Sequence, residues 1–314
     1  MSLKELNALA ANRSARRRSG GKADTRDNRA ALGFLSPWML GIVGITLGPL
    51  LYSLYLSFTN YNLLQSPSWV GLDNYERMFG DERLHQALKV TFTYVIVSVP
   101  LQLAVALGLA LALDRGMRGL AFYRSAFYLP SLLGGSVAIA VLWRLVFGAS
   151  GLFNVILGLI GIESSQSWIS NPDTALWTII LLHVWTFGSP MVIFLAGLRQ
   201  IPRAYYEAAA TDGANVWWRF RHITMPLLTP IVFFNVVLAI INSFSNFTQA
   251  YVVSGGTGGP ADSTLFYTLY LYQEGFGNFR MGYAAAMAWL LVLIIGAVTA
   301  INFWLSKRWV HYDD

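Results

Sequence analysis

The sequence predicts an all-α membrane protein with six transmembrane helices. The first observation is composition, since 55% of the 314 residues are hydrophobic and only 12% are charged, whereas a soluble domain is about one quarter charged. The second is a series of six apolar stretches, each long enough to span about 30 Å of hydrocarbon as a helix. The third is an uneven distribution of Lys and Arg between these stretches, which predicts their orientation.

The six predicted spans form one domain over residues 34–306. Glycine and proline within them, such as Gly41, Pro100 and Pro190, would count against soluble helices. Membrane helices tolerate these residues because neighbouring groups can satisfy the freed backbone atoms. The predicted spans are 34–58, 90–113, 125–147, 175–198, 226–253 and 283–305.

Basic residues predict which segments face the cytoplasm. Residues 1–33 form a tail with eight Lys and Arg, too long and too charged for a typical signal peptide, and we expect it to be disordered. With this tail inside, the inner segments carry 17 basic residues and the outer segments four. The bias places both termini, the loop 199–225 and the end 307–314 in the cytoplasm.

Several function classes are disfavoured by what the sequence lacks. There is no cysteine, and the four histidines have no ligand spacing, so we expect no metal site. The basic excess lies mostly in the tail, which indicates topology rather than nucleic-acid binding. No full phosphate-loop motif and no catalytic constellation occurs, so we expect no catalytic residue and no cofactor in this chain.

Two function classes for such a membrane protein need residues that its spans do not show. A secondary transporter or channel for a small polar solute would often use carboxylates within its spans, and no predicted span has a central Asp or Glu. A membrane enzyme would need a nucleophile, a metal cluster or a paired acid and base, which the sequence does not show.

The segment between the fourth and fifth spans has the signals of two short helices. Pro202 can occupy the first helical position, and Ala208–Ala210 are strong helix formers. Gly213 can adopt the left-handed conformation that ends a helix, and Asn215 can cap the next one. Small side chains on one face would let a partner approach closely, although a solvated loop helix explains the same pattern.

The same segment resembles the EAA loop of the membrane subunits of ABC importers. The pattern comprises Glu207, Ala208 and Ala209, then Asp212 and Gly213, and finally the run 223–226, where Met225 replaces the usual leucine. WVGLDNY at 69–75 and GGPADSTLFYTLYLYQEGF at 258–276 resemble outer loops of carbohydrate-importer permeases. The resemblance covers nearly the whole chain after the tail, and is to the larger-type permease of the maltose, glycerol-phosphate and multiple-sugar group.

This resemblance implies a type I ABC importer permease fold in a bacterial inner membrane, a coupling role for the loop 199–225 and a set of partners. It implies a heterodimer with a second permease subunit, two ABC ATPase subunits that bind ATP and Mg, and an extracytoplasmic substrate-binding protein that delivers a sugar or oligosaccharide. The loop around Glu207–Gly213 would sit in a groove of one ATPase and couple ATP hydrolysis to solute movement. The chain itself would not be an enzyme.

A polar stripe marks the fifth predicted span. Asn235, Asn242, Asn246 and Gln249 lie at helical spacing, so they face either another helix or a water-filled path. The resemblance assigns sugar contacts to Asn246, and also to Asn242 and Ser243. In the fourth span His183 and Trp185, with Thr186 and Ser189, are further candidates for the substrate path, although a single histidine in a span is more often a packing residue.

Overall fold

The fold is described from a computed structural model that covers residues 20–114, 116 and 119–310, with side chains from residue 31. Most of the predicted basic tail, the loop residues Arg115 and Arg118, and the end of the chain from residue 311 lie outside this range. Within it the regular structure is helical, apart from one isolated bridge between Thr59 and Trp69.

The chain divides into two units, Met1–Leu56 and Ser57–Asp314. The first unit contains helix α1 (Gly20–Gly41), a π-helical turn (Ile42–Leu47) and most of α2 (Gly48–Ser57). Pro49 has no N–H for the carbonyl four residues earlier, and the π turn directly before it accommodates the missing bond. Residues Ala31–Ser57 are long and apolar enough for a membrane span.

The second unit is built around one long helix, α4. It runs from Glu82 to Asp114, which corresponds to about 50 Å at 1.5 Å per residue. Near its start Asp81 accepts hydrogen bonds from Tyr270 and Tyr283, and at its end Asp114 pairs with Arg199 at 3.7 Å. We call these two ends of the unit the Asp81 end and the Arg199 end.

Four other helices of this unit pack against α4, namely Pro172–Trp185, Gly188–Leu198, Met225–Phe244 and Tyr267–Tyr272. Several helices of the unit are short, and a π-helical turn occupies residues 273–277. The helices are α3 (Asp73–Phe79), α5 (Leu120–Leu133), α6 (Val137–Val146), α7 (Leu152–Leu159), α8 (Pro172–Trp185), α9 (Gly188–Leu198), α10 (Arg203–Thr211), α11 (Val216–Arg219), α12 (Met225–Phe244), α13 (Thr248–Val253), α14 (Tyr267–Tyr272) and α15 (Met281–Ser306).

The third predicted span is not one helix, and this expectation was wrong. Helices α5 and α6 meet at an angle of 95°. Gly134 and Gly135 at the break have low helix propensity, and Ser136 caps α6 by accepting a hydrogen bond from the N–H of Ile139 at 3.3 Å. The start of α6 is therefore a new helix, in a chain region that composition alone describes as continuous.

The fourth and fifth predicted spans are also interrupted. Helices α8 and α9 are bent by 41° across Thr186 and Phe187. Helix α12 ends at Phe244, and α13 begins at Thr248. The helical spacing of the polar residues from 183 to 190 and from 242 to 249 therefore does not apply across these breaks.

The predicted all-α membrane fold is nonetheless confirmed. Four helices in the described residues are long and apolar enough to span a membrane, and the number is six if each of the two bent pairs is counted as one span. The final span is close to its prediction, since α15 begins at Met281 and ends at Ser306.

Candidate functional site

A cavity of about 380 Å³ lies where the three helix breaks of the second unit meet. Its wall includes Gly135 from the first break, Thr186 from the second, and Ser245 and Asn246 from the third. The cavity is beside the middle of α4, which contributes Gln102. A helix break frees backbone carbonyls, which in a membrane protein must be satisfied by protein groups or water, so this is a polar region inside an apolar bundle.

Gln102 provides hydrogen bonds to the backbone carbonyls at the break between α8 and α9. Its side-chain nitrogen donates to the carbonyl oxygens of His183 and Thr186, each at 3.1 Å, and lies 3.0 Å from the hydroxyl of Thr186. The side chain is buried, with 5% exposed. One amide from α4 therefore holds both carbonyls in place.

Ser131 and Gln249 hold the break between α5 and α6 against its neighbours. The Ser131 hydroxyl donates to the Thr186 carbonyl at 2.8 Å and accepts from the N–H of Ser189 at 2.9 Å. The Gln249 side chain donates to the carbonyl of Gly134 at 2.9 Å. The three breaks are thus joined by side-chain amides and hydroxyls, and the cavity wall is held in one geometry.

Asn246 combines a structural role with a free acceptor. Its side-chain nitrogen donates to the hydroxyl of Tyr94 at 2.8 Å and to the side-chain oxygen of Gln249 at 3.1 Å. Its backbone carbonyl accepts from the hydroxyl of Thr268. Within the described residues the side-chain oxygen of Asn246 has no partner, and the residue lines the cavity, so this oxygen can accept a hydrogen bond from a solute.

The other residues predicted for the substrate path occupy different positions. His183, Asn242 and Gln249 line the cavity with Asn246. Ser243 is fully buried behind the wall, 3.4 Å from the Nε2 of His183. Trp185 does not line the cavity and packs against Trp143, with ring centroids 6.0 Å apart.

The cavity wall is polar and uncharged. Amides, hydroxyls and the His183 imidazole provide its polar atoms, and no Asp, Glu, Lys or Arg of the described residues lines it. Beyond the cavity, the described residues include no group of three or more His, Asp or Glu that could hold a metal ion. The groups of the wall that make no bond to protein, such as the Asn242 amide and the Asn246 side-chain oxygen, are neutral and can form hydrogen bonds with the hydroxyls of a solute.

Two lining residues went unnoticed in the sequence, Gln102 and Ser131. Gln102 is an isolated polar residue in an apolar run two positions after Pro100, and Ser131 follows Pro130. An amide side chain in a predicted span is expected to face protein or a water-filled path, so the sequence could have identified Gln102 as a candidate lining residue. The sequence could not have identified Ser131 in this way, because serine hydroxyls in helices commonly bond to a carbonyl of their own helix.

The segment predicted to couple to a partner forms two short helices, and the predicted helix end at Gly213 and cap at Asn215 are confirmed. Helix α10 ends in a Schellman motif, with the N–H of Gly213 bonded to the Ala210 carbonyl and that of Ala214 bonded to the Ala209 carbonyl. Gly213 has φ +78°. Asn215 accepts from the N–H of Trp218 at 2.8 Å and so caps α11.

Pro202, expected at the first helical position, is instead the N-cap residue of α10, with Arg203 first in the helix. Its ψ of 130° is extended rather than helical. Because proline also lacks an N–H, it is compatible with either position.

An open groove of about 720 Å³ lies along this segment. Ala208, Asp212 and Gly213 line it, and Trp218 and His222 form its other wall, with stacked rings 4.6 Å apart. Glu207 is exposed beside the groove, whereas Ala209 is largely buried. This groove lies on the part of the chain that follows Arg199, at the Arg199 end of the unit.

Comparison with known proteins identifies relatives over nearly the whole chain. Residues 91–311 match the family model described as binding-protein-dependent transport system inner membrane component. The probable ABC transporter permease protein YesP of Bacillus subtilis (strain 168) is 53% identical, over 92% of this chain and 94% of the relative. The arabinooligosaccharides transport system permease protein AraP of the same organism is 34% identical, over 87% of each chain. The lactose transport system permease protein LacF of Rhizobium radiobacter is 33% identical, over 88% and 93%.

A solved structure shares the fold. A chain of a bacterial alginate ABC transporter, crystallised in complex with an alginate pentasaccharide-bound periplasmic protein, superposes with a TM-score of 0.79 at 20% identity. The match covers 91% of this chain and 96% of that one.

Proposed function

The chain belongs to the family of binding-protein-dependent transport system inner membrane components, and from this we propose that it is the permease subunit through which a saccharide crosses the membrane in an ATP-driven importer. Membership makes it a multi-pass protein of the inner membrane and a transport subunit rather than an enzyme. The remaining parts of the proposal concern the solute, the partners and the way that transport is driven.

The uncharged polar cavity is the observation that carries the choice of a saccharide. A sugar presents many hydroxyls, each of which donates and accepts, and neutral amides can satisfy both roles. Within the described residues the amide of Asn242 and the side-chain oxygens of Gln102 and Asn246 make no hydrogen bond to protein and line one space, and Phe247 adds an aromatic ring. The printed names of two relatives, which refer to lactose and to arabinooligosaccharides, support the same solute class.

Charge and shape support a coupling role for the loop 199–225. With both termini in the cytoplasm, the Arg199 end faces the cytoplasm and the Asp81 end faces outward, as the distribution of basic residues predicts. Glu207, Ala208, Ala209, Asp212 and Gly213 would then form a rigid element on the cytoplasmic surface. We propose that it docks on an ATPase subunit, with Glu207 as the exposed charge.

The complete importer would contain a second permease, two ATPase subunits and a binding protein outside the membrane. ATP and Mg would bind to the ATPase subunits and not to this chain. The binding protein would approach the Asp81 end, which carries the loops 59–89 and 254–282. The name of the family supports the binding protein as a partner.

Uptake by intact cells tests the proposed solute class. Deletion of the gene should abolish uptake of one or more labelled saccharides from a set of lactose, arabinotriose, maltotriose and an alginate trisaccharide, and re-expression of the chain should restore it. Unchanged uptake of every member of the set in the deletion strain would refute the proposal.

Co-purification tests the coupling loop. Glu207→Lys should reduce ATPase retention on the purified permease pair, because it reverses an exposed charge without altering packing. Glu76→Lys, an exposed charge reversal in α3, serves as the control and should retain the ATPase. Equal retention in both variants would contradict the docking role of Glu207.

A further inference from the structure

A chain of four aromatic rings runs from the cavity to the surface of the second unit. It consists of Phe247, Tyr251, Tyr272 and Phe276, and we call it the aromatic ladder. Ring centroids are 5.4 Å apart between Phe247 and Tyr251 and 5.2 Å apart between Phe247 and Tyr272. The separation is 5.6 Å between Tyr251 and Tyr272 and 5.2 Å between Tyr272 and Phe276. The rings are therefore in continuous contact.

The inner end of the ladder is part of the cavity wall. Phe247 lines the cavity next to Asn246. The hydroxyl of Thr268 bonds to the Asn246 carbonyl, and Thr268, Tyr272 and Phe276 follow one another at intervals of four residues, which places them along one face of α14 and the π turn after it. The ladder thus starts at the cavity and leads away from it.

The outer end of the ladder is accessible. Tyr272 is 37% exposed, Tyr251 is 39% exposed and Phe276 is 56% exposed, so exposure is greatest at the ring farthest from the cavity. Such a graded series differs from a packed core, where all members are covered.

The tyrosine hydroxyls separate the ladder from the packing tyrosines on the same helix. Tyr267 donates to the Met287 carbonyl and Tyr270 donates to Asp81, each at 2.7 Å. In the described part of the chain, the hydroxyls of Tyr251 and Tyr272 make no hydrogen bond. Each ladder tyrosine therefore offers an apolar ring face beside an unused polar group.

This combination fits the chemistry of a pyranose. One face of a sugar ring is formed largely by C–H groups and packs on an aromatic ring, while its hydroxyls need hydrogen-bond partners. We infer that the aromatic ladder is a saccharide-binding rail, on which a sugar moves between the Asp81 end and the cavity. This inference rests on the proposed function, since it takes the saccharide as the solute.

The backbone beside the ladder covers one side of the Tyr251 ring and fixes its position. Gly256, at φ +80°, passes close to the Tyr251 ring, and a Cβ there would come within 3.2 Å of it. The side chain of Gln273 donates to the Gly256 carbonyl at 2.8 Å. The loop is thus held against one side of the ladder at a position where a larger residue would displace the ring.

Transport by the complete importer in proteoliposomes tests the rail. The probes are lactose, arabinotriose, maltotriose and an alginate trisaccharide, each presented on the binding protein. For whichever probe the wild-type complex imports, Tyr272→Ala should lower uptake about three- to tenfold, Tyr272→Trp should preserve it, and ATPase retention should not change. Phe122→Ala, an exposed ring that is 73% accessible and outside both the ladder and the outer loops, should transport like wild type.

Cysteine labelling gives a readout that loss of packing would not produce. The chain has no cysteine, so Phe276→Cys is a unique target for a water-soluble maleimide. The transported probe should slow its labelling in the assembled complex. A labelling rate that the probe does not change overturns the rail. Labelling only by a membrane-permeant reagent overturns it too, because Phe276 would then face lipid. Loss of labelling when the second permease is added also overturns it, because the position would then be covered by that subunit. Wild-type uptake of no probe would overturn the proposed function itself, whereas normal uptake by Tyr272→Ala overturns the rail alone.

Discussion

The side-chain amide of Asn246 donates to the hydroxyl of Tyr94 over 2.8 Å. This bond joins the middle of α4 to the break between α12 and α13. It also uses one of the two amide hydrogens of Asn246, while Gln249 takes the other. The side-chain oxygen of Asn246 is free to accept a hydrogen bond from a solute. Asn246 therefore contributes both to the stability of the cavity wall and to the recognition of the solute.

Substitution of Asn246 should affect both stability and transport. Asn246→Ala leaves the buried Tyr94 hydroxyl without a partner, which costs about 1–3 kcal/mol, and removes the free acceptor, so saccharide uptake should fall about tenfold. Tyr94→Phe should lower the thermal midpoint in detergent but leave uptake within about twofold. Equal loss of uptake in the two variants would indicate that Asn246 acts only through packing.

Gly213 should be required for binding of the ATPase because of its backbone conformation, and not because of contacts that a side chain would disturb. Its φ is +78° and no atom lies within 4 Å of a Cβ placed there, so Gly213→Ala introduces strain of about 1–2 kcal/mol without a collision. The end of α10 should loosen, and ATPase retention on the permease pair should fall. Gly80→Ala, at the end of α3 with φ −99°, should retain the ATPase. Full retention by Gly213→Ala would contradict this role.

Gly188 should be essential for packing at the start of α9. A Cβ there would lie 2.5 Å from the Phe127 carbonyl oxygen and 2.7 Å from the Cα of Tyr128, so backbone must move. Gly188→Ala should destabilise the protein by about 1–3 kcal/mol, measured as a lower thermal midpoint in detergent. Gly108→Ala in α4, where a Cβ meets no atom within 4 Å, should be neutral or stabilising. A neutral Gly188→Ala would show that the two helices are less tightly packed.

Acid should weaken the Asp81 end. Burial favours a higher pKa for Asp81, but hydrogen bonds from Tyr283, Tyr270 and the Leu84 N–H hold its pKa below the ordinary value. A lowered folded pKa means that the carboxylate stabilises the fold above the unfolded pKa, about 4, and that this contribution disappears as pH falls through the folded value. The thermal midpoint of Asp81→Asn should therefore be lower than that of wild type at pH 7, and the difference should shrink toward pH 3. A constant difference would contradict the pKa shift.

The sequence was sufficient for the helical class and for the local structure of the loop 199–225. The length of the apolar stretches predicted the spans because a helix must be long and apolar to cross the hydrocarbon core. Gly213 and Asn215 predicted helix ends because helix capping depends on residues that are adjacent in sequence. The breaks at Gly134, Thr186 and Ser245 were not predicted. Each depends on a partner distant in sequence, such as Gln102 or Gln249, whose side chain satisfies the carbonyl that a break frees.

The candidate site was predicted in part for the same reason. Asn242, Asn246 and Gln249 were found because amides are unusual in a span. Ser243 and Trp185 were also candidates for the substrate path, yet Ser243 lies behind the wall and Trp185 packs against Trp143. Only tertiary structure distinguishes a side chain that faces a cavity from its neighbour that packs.

ATP-dependent import by the purified complex tests the central claim most directly. The permease pair and its ATPases are reconstituted in proteoliposomes with ATP inside, and the binding protein carries the labelled saccharides outside. The account predicts accumulation that stops when ATP is replaced by a non-hydrolysable analogue and that continues when ion gradients are collapsed by ionophores. Accumulation driven by an ion gradient without ATP would contradict the account, and would identify the chain as a secondary transporter.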